Sequence, residues 1–158
     1  MSAKPKPSLT FIVDTREQSP YQFSRAHRRD VAFGGSRRAK LDEGDYGVMI
    51  GEELLPIRIE RKSIGDLFGV VGKGRERFER ELDRLSGYAS YLMIEATLEQ
   101  VKHGFERSLV GGEAALGSVL CWSVTFGISP IFAGNWRLGN SVTQRLLEDF
   151  AAHYRGGK

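Results

Sequence analysis

The chain has 158 residues, enough for one well-buried core and too few for two, since single domains commonly run to about 100–200 residues. A hydrophobic content of 41%, a charged content of 27% and 19 Gly against 5 Pro exclude collagen-like and largely disordered classes, and the solitary Cys121 excludes a disulfide framework or a multi-cysteine zinc site. Lys and Arg outnumber Asp and Glu by 23 to 20, a net charge of +3 that permits a polyanionic partner without demanding one.

Residues 1–8 carry Lys4, Lys6 and two prolines but no apolar run, so they read as a flexible lead-in and not a signal peptide, which implies an intracellular chain. Residues 9–13 (LTFIV) form a β-rich run that delivers Asp14-Thr15-Arg16-Glu17 at its tip, a first candidate site that also reads as a turn. Residues 18–40, with Pro20, Gly34, Gly35 and the basic residues Arg25, His27, Arg28, Arg29, Arg37, Arg38 and Lys40, read as a loop-rich positive connection. Residues 46–50 and 55–59 are two strands joined by the turn Gly51-Glu52-Glu53, and antiparallel pairing brings Asp45 and Glu60 together at one end.

Ser63 and Asp66 form an S-x-x-D capping pattern before the short helix 64–71, which favours a capping role for Asp66 over metal binding. Phe78, Leu82, Leu85 and Ala89 fall at i, i+4, i+7 and i+11 and predict an amphipathic helix over 75–89. A strand over 91–95, an apolar helix over 112–125, a strand over 129–133 and a C-terminal helix over 141–154 complete the pattern. Residues 114–136 carry no charge and are long enough to span a bilayer, but Ser118, Ser123, Thr125, Ser129 and Pro130 interrupt them and Gly127 divides helix from strand, so no membrane segment is expected. Five strands separated by three or four helices predict an α/β sandwich.

Glu60 and Lys62 stand two apart on a strand and leave the same face, whereas Arg61 leaves the other. With Asp45 and Asp14 alongside, three carboxylates and one ammonium gather at one sheet end. Carboxylate oxygens suit Mg2+ or Mn2+, and few protein ligands leave room for water and phosphate oxygens, the requirements of phosphodiester hydrolysis. Alone, an E-x-K pair is more often an exposed ion pair worth about 0–1 kcal/mol.

Taken in order, Glu60-Arg61-Lys62-Ser63-Ile64-Gly65-Asp66 resembles the ERKxxxD signature of the XPF-type nuclease family, and Gly44-Asp45-Tyr46 resembles the GDY that precedes it. Asp14-Thr15-Arg16-Glu17 resembles the family's opening DxRE, and Gly74-Arg75 the GR that begins its next helix. The similarity runs over 9–154 and is strongest to compact stand-alone bacterial and phage members, for which the location would be cytoplasmic. It implies a single nuclease domain over 9–155 with a restriction-endonuclease-like three-layer fold, a central mixed β-sheet flanked by helices.

By residue, the resemblance implies Asp14, Asp45, Glu60 and Lys62 as the catalytic set, with Asp45 and Glu60 binding metal, Asp14 completing or orienting the metal shell, and Lys62 serving the attacking water. Arg16, Glu17, Arg61 and Asp66 would support the site. Independently of the resemblance, Arg28, Arg29, Arg37 and Arg38 of the positive connection, with Arg75, are expected to meet DNA. Two departures stand out: nothing after Lys158 provides the helix-hairpin-helix domain of eukaryotic and archaeal members, and Glu79 stands where those members often have Gln. The expected activity is a Mg2+- or Mn2+-dependent DNA endonuclease acting on forks, flaps or junctions in repair or recombination. The alternatives are an inactive nucleic-acid-binding module of the same fold, against which the intact Asp45, Glu60 and Lys62 speak, and a scaffold whose carboxylates only form salt bridges. A homodimer through residues 114–154, with Trp122, Phe126 or Trp136 as anchors, is the expected assembly, set against the reading that these rings fill the monomer core.

Overall fold

A computed structural model of the chain describes residues 3–154; residues 1, 2 and 155 of the expected bounds lie outside the described part. The apolar run becomes β1 (Ser8–Val13), which lies between β2 (Ala32–Arg38), its parallel neighbour, and β3 (Tyr46–Ile50), its antiparallel one. The two-residue β4 (Glu53–Leu54) turns back on β3, and after Pro56 the chain enters β5 (Ile57–Lys62), so the expected hairpin forms with a break in its return arm. Helices α1 (Ile64–Val71) and α2 (Arg75–Leu85) lead to β6 (Ala89–Ile94), parallel to β5. Next come α3 (Leu98–His103), α4 (Gly112–Phe126), β7 (Ser129–Phe132), which is parallel to β6, and α5 (Trp136–His153). Strand order is β2-β1-β3-β5-β6-β7, with β4 on β3.

Strand alternation assigns each side chain to a face of this mixed sheet. Leu9, Phe11, Tyr46, Val48, Ile59 and Met93 share one face with Leu147 and Ala151 of α5. Leu92 and Ile94 share the other with Leu67 of α1, Phe78 and Leu82 of α2, and Val119 and Trp122 of α4. A sheet between helices on both sides is the expected three-layer α/β arrangement. Each fully buried large apolar side chain contributes about 1.5–3 kcal/mol, so both faces are needed for a stable domain. No helix among the described residues is long and apolar enough to cross a membrane, and the charge-free stretch divides into α4 and β7 at Gly127 as its composition predicts.

Four boundaries differ from expectation. Residues 32–38 form β2, not loop. Their Gly34-Gly35 pair reads as a turn, yet it lets the strand close on β1, since a Cβ at Gly34 would sit 2.9 Å from the Leu9 carbonyl oxygen, and the register slips at that point. α3 was not expected, although Thr97 and Gln100 form a capping box: Thr97 Oγ1 accepts from Gln100 N at 3.0 Å and Gln100 Oε1 from Thr97 N at 2.8 Å. α2 stops at Leu85 because Ser86-Gly87 breaks it, and Ala89 opens β6. α5 begins at Trp136, five residues before the predicted start, capped by Asn135 Oδ1, which accepts from Leu138 N at 2.9 Å. The weak helix former Gly139 obscured this, but a Cβ there would lie 3.2 Å from Tyr21 Cζ, so glycine is what lets Tyr21 reach α5.

Candidate active site

Three strand ends meet in the middle of the sheet. Asp14 follows β1, Asp45 precedes β3, and Glu60, Arg61 and Lys62 end β5 as the extension of the strand that the sequence predicts. Asp14 N donates to Asp45 O at 2.9 Å and Asp45 N to Ile59 O at 2.8 Å, so the ladder itself sets the spacing of the acidic residues. Glu60 and Lys62 leave the sheet on the α2 side; Lys62 Nζ lies 5.0 Å above the Phe78 ring of that helix. Asp14, Asp45 and Glu60 line a cavity of about 200 Å³ with Arg16, Glu17, Asp42, Glu43, Gly44, Glu81 and Arg84.

Each candidate sits in a distinct environment. Glu60 is buried, and its Oε1 accepts from Lys62 Nζ at 3.1 Å. Burial pushes its carboxyl above the ordinary range while Lys62 pulls the other way. Lys62 is raised: burial lowers it, but Glu60 and Asp45 outweigh burial and hold it as an ammonium. Asp45 is half-buried, with Oδ2 accepting from Arg61 N at 2.8 Å, and burial followed by the charge of Glu60 pushes it up to about 8. Asp14 behaves oppositely. Burial raises it, but Arg16 Nε at 2.7 Å and the backbone N–H groups of Leu41 at 2.8 Å and Arg16 at 3.2 Å hold it below the usual carboxylate range. Both Asp14 oxygens are thereby occupied, which makes it the anchor of the cavity wall.

Arg61 works on the opposite face, as alternation requires. Its Nε reaches Glu95 Oε2 at 3.0 Å, its Nη1 reaches Ser19 O at 2.6 Å and Glu17 Oε2 at 3.3 Å, and its guanidinium lies 4.2 Å above the Tyr21 ring. The tyrosine of the GDY string completes this network: Tyr46 OH donates to Glu17 Oε2 at 2.6 Å and accepts from Tyr21 N at 2.8 Å. Glu17 therefore both lines the cavity and ties Arg61 and Tyr46 beneath it.

The outer candidates separate into bound and free. Asp66 is exposed, and its N–H donates to Ser63 Oγ at 3.2 Å, the capping geometry expected. Arg75 joins α2 to α4 through Ser118 Oγ at 2.8 Å and pairs with Glu79 at 2.9 Å, while Glu79 accepts from Trp122 Nε1 at 3.0 Å, so Glu79 has a structural task. Arg28 is held by Asp30 at 2.7 Å and Asp149 at 3.0 Å, and Arg38 by the carbonyls of Thr15 and Glu17; Arg37 is exposed with only Met49 Sδ as partner among the described residues, at 3.0 Å, and Arg29 is exposed. Trp122 is buried in its own chain, while Trp136 is 56% exposed. Sequence reading missed Glu81 and Arg84, which line the cavity from α2 at a spacing of three beside the buried Phe78-Leu82-Leu85 stripe, and Glu95, which follows β6. The i, i+3 placement of Glu81 and Arg84 was the available signal.

The cavity lining holds seven carboxylates, Asp14, Glu17, Asp42, Glu43, Asp45, Glu60 and Glu81, against Arg16 and Arg84. Such a lining repels a phosphodiester and attracts cations. Among the described residues no three His, Cys, Asp or Glu side chains form a group that holds a metal by themselves. The donor set nonetheless fits a hard cation: Asp45 Oδ1 and Glu60 Oε2 accept no hydrogen bond from the described residues, and Mg2+ typically takes one or two carboxylates and completes its shell with water and phosphate. Two desolvated carboxylates, one raised further by the charge of the other, also gain most from a positive ion.

No known family description and no curated protein matches the chain. Solved structures do. XPF from Aeropyrum pernix superposes with a TM-score of 0.64 at 18% identity over 91% of this chain and 65% of that one. XPF from Aeropyrum pernix in complex with DNA superposes with a TM-score of 0.63 at 18% identity over 97% of this chain and 68% of that one. The chain thus spans about two thirds of the length of these structures, and over that length its strands and helices are built on the XPF fold.

Proposed function

We propose that the chain is a divalent-metal-dependent DNA endonuclease that hydrolyses phosphodiester bonds, directed to forks, flaps or junctions of the kind met in repair and recombination. The observation that carries this reading is the acidic cavity that Asp45 and Glu60 line together at the ends of adjacent strands, with the Lys62 ammonium, outside the lining, paired to Glu60 at 3.1 Å. An XPF structure of the same fold solved with DNA supports the choice of polymer.

Asp45 and Glu60 would hold Mg2+ or Mn2+, which when bound polarises a phosphate oxygen and lowers the pKa of water. Lys62, fixed as a cation by Glu60, donates an N–H to the attacking water and sets its position in line with the scissile P–O bond. Asp14 keeps the wall in place through Arg16 and Leu41 N, and Arg84 at the rim offsets the charge of an incoming phosphate. Hydrolysis adds water across P–O: the water oxygen bonds to phosphorus, the sugar oxygen leaves and takes up a proton, and a phosphate monoester and a hydroxyl end result. A homodimer through 114–154 would use exposed residues such as Leu120 and Val124 of α4 or Trp136 and Leu138 of α5, since Trp122 is already buried.

Single-stranded, duplex, flap and fork DNA incubated with Mg2+ or Mn2+ test the reading. Cleavage of a branched substrate that is lost in Asp45→Asn and Glu60→Gln is expected. Binding without cleavage in either metal would leave the inactive module.

A further inference from the structure

A larger cleft, of about 840 Å³, opens on the other side of β5. Arg61, between Glu60 and Lys62, points into its lining, so cavity and cleft are separated by the thickness of one strand. Its walls are Ser19-Pro20-Tyr21-Gln22, Glu95, and Trp136, Arg137 and Asn140 of α5. Trp136 is 56% exposed there, with the Arg137 guanidinium 5.6 Å above its ring. Glu95 is neutralised by Arg61 at 3.0 Å and also accepts from the Tyr21 hydroxyl at 2.6 Å, which leaves Arg137 as the lining's net charge. Unlike the acidic cavity, the cleft therefore offers an open aromatic face, a cation and amide side chains.

We infer that this cleft binds the unpaired strand of a branched DNA, with a base stacked on Trp136 and a phosphate near Arg137, and so deepens the nuclease reading on which it rests. Aromatic faces combined with arginine bind single strands because every base has a stacking face, whereas bases inside a duplex have none to offer. Tyr21 cannot take this role, since Arg61 covers one side of its ring and Tyr46 stacks at 5.0 Å. A strand that crosses the rim of β5 would place one phosphate at Glu60 and Lys62 and its next bases in the cleft.

The chain has two tryptophans, and Trp122 is buried, so a fluorescence change on ligand contact that is absent from Trp136→Ala reports Trp136. An oligothymidylate of about ten nucleotides, within the usual span of single-strand sites, is titrated into the full chain in EDTA. Quenching is expected, and Trp136→Ala should bind labelled oligothymidylate about 5- to 150-fold more weakly, the equivalent of about 1–3 kcal/mol for one stacked base, with Trp136→Phe restoring most of the loss. Equal affinity in Trp136→Ala and wild type overturns the inference. So does a Trp136→Ala effect that follows a change of sedimenting mass and not oligothymidylate binding, which would make the face a protein contact. Quenching in a wild-type protein that cuts no DNA with Mg2+ or Mn2+ supports the cleft while removing the nuclease reading. Flap cutting that is equal in wild type and Trp136→Ala removes the cleft's role and leaves the nuclease.

Discussion

Asp45 and Glu60 each keep an oxygen that no described residue satisfies, whereas both oxygens of Asp14 are engaged, and this sets what their substitution should do. Asp45→Asn and Glu60→Gln keep shape and core volume, so each is expected to fold normally and to lose about 10²-fold or more of metal-dependent cleavage, the range for removal of a positioned catalytic group. Lys62→Ala should lose comparable turnover while keeping metal affinity, read by calorimetric titration with Mn2+; equal loss of Mn2+ affinity in Lys62→Ala and Glu60→Gln would contradict their separate roles. Asp45 also governs a pH dependence. Its folded value of about 8 lies above the ordinary 3.8, so the stabilisation it contributes is complete below 3.8 and is lost as pH rises through about 8. Without divalent cations, wild-type Tm should therefore fall more steeply over that window than the Tm of Asp45→Asn, and parallel profiles would refute the assignment. The pairing of Asp45 with Glu60 and the shared face of Glu60 and Lys62 were legible in the sequence, because both follow from strand alternation and one hairpin. That Asp14 is saturated by Arg16 and Leu41, and that Arg28 and Arg38 are internally bound, was not, since such partners are set by tertiary packing.

At the level of elements, strands with uninterrupted apolar runs and helices with long stripes were legible, and those whose local signals point the wrong way were not. β2 hides behind Gly34-Gly35, and the first turn of α5 is obscured by Gly139; in both places glycine serves a close approach that only the assembled fold reveals. α5 is the sole helix among those described that packs on the face of Leu9, Phe11 and Tyr46, and a buried carboxylate helps to hold the 20–31 segment on it. Glu148 Oε1 accepts from His27 N at 2.8 Å and Arg28 N at 2.9 Å. Glu148→Ala should cost about 1–3 kcal/mol for each backbone donor left buried and unpaired, measured by urea unfolding. On the other face, Trp122→Ala empties a fully buried site and removes one of the two donors to Glu79; a loss of about 3–5 kcal/mol is expected.

For the whole molecule, binding to DNA should depend on salt, with log K falling by about 0.9 per neutralised phosphate against log salt. Arg29→Ala with Arg37→Ala should flatten that slope because both side chains are exposed, whereas Arg28→Ala, which breaks contacts to Asp30 and Asp149, should leave it unchanged. An unaltered slope in the double variant would place the docking surface elsewhere. Mg2+ at about 100 times its dissociation constant should add about 2.7 kcal/mol to unfolding free energy, an increment that Asp45→Asn and Glu60→Gln should diminish. Asp45 Oδ2 accepts from the main-chain N–H of Arg61, not from its side chain, so any replacement at 61 except proline retains the donor. That single amide is a built-in spectroscopic probe: its NMR proton resonance should track the ionisation of Asp45 and shift again as a cation enters, even in variants whose arginine is gone.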